Sequence, residues 1–190
     1  MKITLIRHGK TLANEQRLYC GATDLPLSEA GKKAILTEQR IYPNAQDYYT
    51  SGMKRTEETL QLLYGETCPH RRETGLRELD FGEFEMHSYD ELKDREDYQA
   101  WICGDNFRNV CPGGESGEQM QRRVLAAYRE IERRGRDAVI VTHGGVIAEL
   151  MAALFPQEEK NRYEWQPASA EGYEITYAET LRYRCVPFEK

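Results

Sequence analysis

Three observations predict an α/β chain, built as a three-layer αβα sandwich. Short apolar runs rich in Ile, Val and Leu alternate with longer segments of helical period. Two of these runs, 2–6 and 138–142, are apolar at nearly consecutive positions, as strands buried on both faces are. The tail, 173–177 and 180–186, alternates apolar with polar residues, as a strand pair wet on one face does. Together they predict a mainly parallel sheet covered on both sides, with an antiparallel edge.

Taken in order, 2–6 reads as the first strand, followed by a loop. Ser28 is an N-cap for a helix running to about Ile41, with Pro43 stopping it. A short strand follows at 47–51, then a helix over 53–64 closed by Gly65. Residues 70–73 form a third strand. The polar, aromatic stretch 88–102 is helical in two pieces. The clearest helix spans 116–134, where Met120, Val124, Ala127, Tyr128 and Ile131 share one face, and Gly135 closes it. The buried strand 138–142, a helix over 145–155 ended by Pro156, and the strand pair complete the chain.

A length of 190 residues suits one domain, 1–190, with a proper core. Hydrophobic content of 39% against 31% charged residues is globular, and no apolar stretch reaches the roughly 18 residues that cross a bilayer. Met1-Lys2 leads straight into a strand without a signal-peptide pattern, so cytoplasmic residence and no membrane partner are expected. A net charge of −6 argues against a nucleic-acid partner. It leaves room for a small anionic substrate held by a few local arginines. Five cysteines, an odd number with no Cys-x-x-Cys pair, support neither a disulfide framework nor a zinc site. Oligomeric state leaves no mark on the sequence.

The chemistry is concentrated at two strand ends. The first strand stops at Arg7-His8-Gly9, and the run 138–142 stops at His143-Gly144-Gly145. Only four histidines exist, and two sit at such ends, where open α/β sheets bind their ligands. Other chemistries fail on spacing. Gly9-Lys10-Thr11 mimics the end of a P-loop, but Thr4 stands where the first glycine belongs. No cysteine lies six positions before an arginine, no Asp-x-Asp pair occurs, and no cluster has metal-ligand spacing. Glu115 spoils a Gly-x-Ser-x-Gly elbow at 113–117.

A phosphate site remains. Arg7 and Arg55 supply planar, permanent cations for phosphoryl oxygens. His143 and Gly144 begin a helix whose N–H groups and dipole would face an anion. Asn14 is either a neutral donor to that anion or the cap of a local turn. A neutral imidazole accepts a phosphoryl group and passes it to water, dividing one hard step into two. The leaving alkoxide needs a proton, and Glu78 is the candidate acid, a role for which burial would have to raise its pKa.

These blocks together resemble the histidine phosphatase superfamily, the phosphoglycerate mutase-like proteins. Leu5-Ile6-Arg7-His8-Gly9-Lys10-Thr11 with Asn14 looks like its opening motif. Tyr19-Cys20-Gly21 through Leu27-Ser28-Glu29-Ala30-Gly31 resembles its substrate loop and first helix. Ser51 to Thr56 carries the second arginine, Glu78 to Gly82 the proton donor, and Thr142-His143-Gly144 the last histidine. The resemblance implies His8 as phosphohistidine nucleophile and Glu78 as proton donor. It implies Arg7, Asn14, Arg55 and His143 as the phosphate pocket, with Cys20 and Gly21 near the substrate, and chemistry without metal or cofactor. Lys10 departs from the glutamate usual there and puts a cation near the pocket mouth.

The chain is too short for the insertion typical of mutases. The segments Phe81-Gly82-Glu83-Phe84-Glu85-Met86, Tyr98-Gln99-Ala100-Trp101 and Pro112-Gly113-Gly114-Glu115-Ser116 look most like alpha-ribazole phosphatases of cobalamin assembly. The resemblance therefore implies a phosphomonoesterase acting on a small phosphate ester, with alpha-ribazole phosphate first. A broad-specificity phosphatase, a phosphoglycerate mutase and a non-catalytic phospholigand sensor are the alternatives. Phe84, Tyr98 and Trp101 either stack on a bulky leaving group or pack a core. His87 either lines the substrate mouth or meets solvent, and His70 is surface polar.

Overall fold

The two consecutive-apolar runs become the middle of a six-stranded sheet. The computed structural model describes residues 1–38, 40–105 and 107–188. The strands are β1 (Lys2–Arg7), β2 (Asp47–Thr50), β3 (Arg71–Arg72), β4 (Ala138–Thr142), β5 (Gly172–Tyr177) and β6 (Leu181–Val186), in the spatial order β3-β2-β4-β1-β5-β6. From β3 to β1 the pairing is parallel; β5 and β6 add the antiparallel edge. This is the α/β sandwich the sequence predicts.

Helices cover both faces. Ile3, Leu5, Ala138 and Ile140 pack with α6 (Gly117–Glu132) and α7 (Gly144–Leu154). Ile6, Val139 and Val141 pack on the other side with Leu60 of α3 (Lys54–Tyr64). Residues 3–6 and all of β4 are buried, because a strand covered twice leaves neither face to water. The buried face of α6 is the stripe read from the sequence, and Ser116 caps it in a full capping box. Helix α7 is buried almost all round, from Val146 to Met151, and the charged Glu149 lies within that stretch.

Two expectations need correction. The stretch after β1 is not all loop: Thr11 caps a one-turn helix, α1 (Leu12–Gln16), too short for apolar periodicity to reveal. The helix begun at Ser28, α2 (Glu29–Thr37), ends well before Ile41. Ile41 lies six positions past Ile35, off the helical stripe, and it bridges to Phe188 instead. Gln39, inside the expected helix, lies outside the described residues. The polar stretch after Ser88 forms α4 (Tyr89–Leu92) and α5 (Glu96–Ile102), in two pieces as expected. These helices carry a small apolar cluster of Phe84, Leu92, Tyr98 and Cys111 beside the carboxyl ends of the strands.

Sheet register builds the site. Arg7 pairs with Thr142 across the parallel β1–β4 ladder, so the next residue on each strand is a histidine at the same edge. Residues 135 positions apart in number are thereby neighbours without any contribution from their own side chains.

Candidate active site

The rings of His8 and His143 meet edge to face with centroids 5.1 Å apart. His8 Nδ1 lies 2.7 Å from its own chain's Gly9 carbonyl, which can only accept, so Nδ1 carries the hydrogen. That hydrogen bond leaves the lone pair on Nε2. His143 is set by two partners: Arg55 Nε donates to Nδ1 (3.3 Å), so Nε2–H donates to Ser51 Oγ (2.8 Å). Ser51 in turn meets Thr56 Oγ1, which bonds the Met53 carbonyl. The second ring is therefore pinned by the turn that opens α3.

Both imidazoles are buried, and burial pushes each well below the ordinary imidazole pKa, with Arg55 adding repulsion. Arg7 contributes to both, and His8 itself opposes a proton on His143. Both rings are thus held neutral. A histidine neutral in the fold but protonated when unfolded weakens the fold as pH falls, because the unfolded chain then binds more protons. Melting temperature should drop on acidification below the ordinary imidazole pKa of 6.5. An oxyanion between the rings favours the protonated forms and opposes that loss. Thermal melts from pH 5 to 8, with and without inorganic phosphate, check this; phosphate stabilisation that does not grow toward acid pH would refute it.

The arginines, Arg55 buried and Arg7 partly buried, are cations whose donors are only partly spent. Burial lowers both guanidinium pKa values, while Glu78 pulls both back up and Cys20 does so at Arg55. Arg7 donates from Nη1 to the Pro167 carbonyl (2.8 Å), and its buried Nε has no partner among the described residues. Gly144 lets this guanidinium lie across the start of α7, since a Cβ there would sit 3.1 Å from Arg7 Cζ. Arg55 gives Nε to His143, Nη1 to the Thr23 carbonyl and Nη2 to the Gly21 carbonyl. Those bonds use three of its five donors and leave two for a ligand. Unpaired buried N–H groups of fixed charge are what a phosphoryl group requires.

Arg55 has a further task the sequence did not reveal. It holds the 20–24 loop by its carbonyls while the Glu85 carboxylate takes the N–H groups of Gly21, Ala22 and Thr23 and of Phe81. Gly21 passes under the Leu79 carbonyl so closely that a Cβ would fall 1.6 Å from that oxygen. Gly21→Ala must lift the loop, and a shift of about 1 Å in such a position lowers kcat/KM by about 100-fold. Steady-state kinetics on the variant check it, and a change under threefold would show the loop to be uninvolved. Cys20 lies beside it with Sγ 3.5 Å from the Thr23 carbonyl, and burial raises its pKa, keeping it a thiol.

Glu78 takes the helix-end position expected to face an anion. Its Oε2 accepts the Gly145 N–H of α7 and its Oε1 the Leu79 N–H, both at 3.0 Å. A Cβ on Gly145 would fall 2.4 Å from Oε1, so that glycine is part of the arrangement. The carboxyl is partly buried at a cleft wall rather than enclosed. Arg123 of α6 fixes the segment: its guanidinium reaches the carbonyls of Gly75, Arg77 and Glu78 and pairs with Glu115. Neither Arg123, Glu85 nor Ser51 stood out in the sequence as a site residue, because each acts through backbone groups or another side chain.

Asn14 closes the α1 cap: its Oδ1 accepts from Thr11 N and Oγ1. That is the local-turn reading, and it leaves the Nδ2 group as the donor end. Lys10 is exposed and does not line the cleft that opens from Glu78. Phe84 is wholly buried in its cluster, whereas Tyr98 and Trp101 also line a cleft of about 710 Å³ that opens from Glu78 and Gly145. His87 is exposed away from that lining.

A family model described as histidine phosphatase superfamily (branch 1) matches residues 3–183. An adenosylcobalamin/alpha-ribazole phosphatase of Salmonella typhimurium is 32% identical over 161 residues, covering 81% of this chain and 79% of that protein. A 2,3-bisphosphoglycerate-dependent phosphoglycerate mutase of Cytophaga hutchinsonii is 30% identical over 162 residues, 80% of this chain and 76% of that one. Among solved structures, the alpha-ribazole phosphatase of Shigella flexneri has a TM-score of 0.83 at 26% identity, covering 99% of this chain and 96% of its own.

Proposed function

Since the chain belongs to the histidine phosphatase superfamily, we propose that it hydrolyses a small phosphate monoester through phosphohistidine on His8, with alpha-ribazole phosphate as its preferred substrate. The observation that carries this reading is the neutral His8 ring, Nδ1–H tied to Gly9 and Nε2 left bare, against His143, the buried Arg55 and the partly buried Arg7. Nε2 attacks phosphorus in line, and the ester oxygen leaves with a proton from Glu78. Arg7 and Arg55 hold the phosphoryl oxygens, with Gly144 and Asn14 Nδ2 as added donors; the His143 ring joins them when it takes a proton at Nδ1, the nitrogen that otherwise accepts from Arg55. Glu78, now a base, takes a proton from water; the water oxygen attacks phosphorus, the P–N bond breaks, and His8 is restored.

The alpha-ribazole preference is supported by the Salmonella typhimurium relative and by the walls of the cleft. Tyr19, Phe81, Tyr89, Tyr98, Trp101, Phe107 and Tyr163 face the space beyond Glu78, suited to a leaving group with an aromatic ring. A phosphoglycerate carboxylate would need cations there. The cleft instead carries Glu78, Asp105 and Glu149, and the one arginine among the described residues that line it, Arg162, is paired with Glu149. That weighs against the mutase reading.

One catalytic domain acting on a small molecule, without cofactor, nucleic acid or membrane, completes the proposal. No described helix is long and apolar enough to span a bilayer. Cytoplasmic residence is supported by five free cysteines. The test is hydrolysis of alpha-ribazole 5′-phosphate beside sugar phosphates, phosphoserine and 3-phosphoglycerate. We expect the first to have the highest kcat/KM. Equal rates across unrelated esters would make this a general phosphatase, and phosphate transfer between glycerate carbons would make it a mutase.

A further inference from the structure

Glu149 is a carboxylate with 2% exposure in an otherwise apolar helix, and nothing in the phosphoryl-transfer machinery uses it. It lies four residues, about 6 Å along the α7 axis, beyond the Gly145 amide that orients Glu78. Its side chain lines the same cleft. Oε1 accepts from Arg162 Nε (2.7 Å) and Oε2 from Gln121 Nε2 (2.8 Å). A carboxylate has about four acceptor positions, so roughly half remain. A charge buried this deeply is costly unless its remaining capacity is met, and burial does raise its pKa.

The cleft rim carries a second, independent mark. Tyr163 is 78% exposed and Tyr89 55% exposed, large rings that no core requires. Arg162, the partner of Glu149, lies flat over Phe107 at 3.7 Å and stiffens that wall. A polar acceptor near the proton donor, with unpacked aromatic rings farther out, fits a ligand that is polar near its ester and aromatic at its far end.

We infer that this cleft is a nucleoside subsite, in which Glu149 accepts hydrogen bonds from the vicinal hydroxyls of a pentose 5′-phosphate while the rim rings stack on its base. This rests on the phosphatase reading and adds to it the residue that selects the leaving group. A carboxylate whose oxygens each keep one open acceptor position can take adjacent hydroxyls as donors, as acidic residues do at the ribose of dinucleotides. A leaving group without those hydroxyls leaves the acceptors bare, which is the basis of strong discrimination.

The experiment compares kcat/KM for alpha-ribazole 5′-phosphate and its 2′,3′-dideoxy analogue, and for adenosine 5′-monophosphate and its 2′,3′-dideoxy analogue, with 4-nitrophenyl phosphate as reference ester. We expect wild type to favour the hydroxylated member by about 10- to 100-fold, the worth of hydrogen bonds to a charged group. In Glu149→Gln the ratio should fall close to one. A folding defect scales both rates and leaves the ratio intact, so the ratio reports the subsite and not stability. Glu149→Asp, which keeps the charge beside Arg162 but withdraws its oxygens, should lose the ratio as well.

A wild-type ratio near one, or a ratio that survives both substitutions, overturns the inference. So does turnover of 4-nitrophenyl phosphate with none of the nucleotides. A hydroxyl-dependent ratio on the adenosine pair, without preference for alpha-ribazole phosphate, would retain the subsite and reject that substrate. Inactivity toward every ester would instead reject the phosphatase reading itself.

Discussion

His8→Ala should abolish turnover, lowering kcat by about 10⁴-fold or more, as removal of a covalent nucleophile does. Nε2 is the bare lone pair in the pocket, and its replacement by a methyl group leaves the arginines with an anion and no acceptor for it. Substrate should still bind, because Arg7, Arg55 and His143 are untouched. A rapid acid-labile phosphoryl adduct, seen in the wild type by quenching with labelled substrate, should vanish. The fold should survive and lose less stability in acid, since one of its two buried neutral imidazoles is gone. A variant that retains the adduct would move the nucleophile elsewhere. Tight ligand binding with no adduct even in wild type would instead describe a phospholigand sensor.

Glu78→Gln should lower kcat by about 10²- to 10⁴-fold on alkyl esters, the usual contribution of a positioned general acid. The amide keeps the shape but carries no transferable proton, and its NH2 must face one of the two backbone N–H groups that meet carboxyl oxygens in the wild type. The decisive control is the leaving group. With 4-nitrophenyl phosphate, whose phenolate departs without a proton, the first step should be far less impaired. Release of the phosphoryl group to water would then limit turnover, and the phosphohistidine should accumulate. A loss of equal size on both esters would show that Glu78 positions the substrate and donates nothing.

Much of this was legible in the residues alone, for a physical reason that differs from element to element. A strand covered on both faces must be apolar without interruption, so 138–142 could not be hidden. A long surface helix must repeat its apolar residues at helical spacing, so α6 was readable to within two residues at either end. Helix α1 was not, because one turn held by a Thr11–Asn14 cap has no periodicity to show. The end of α2 was misjudged for a related reason: Ile41 belongs to a bridge with Phe188, and distant pairing leaves no trace in local pattern.

The site divides along the same line. Residue type and local order were enough to single out His8, Arg7, Arg55, Glu78 and His143, because few side chains can accept, hold or protonate a phosphoryl group. Nothing local assigns their tautomers or their neighbours. It is the β1–β4 register that brings His8 against His143, and the Gly9 carbonyl that leaves Nε2 bare. Likewise the Gly145 amide aims Glu78, and the packing of α7 directs Glu149 into the same cleft. Chemistry is carried by side chains and can be read from their identities. Geometry is carried by backbone pairing between segments far apart in the chain, and only the folded chain contains it.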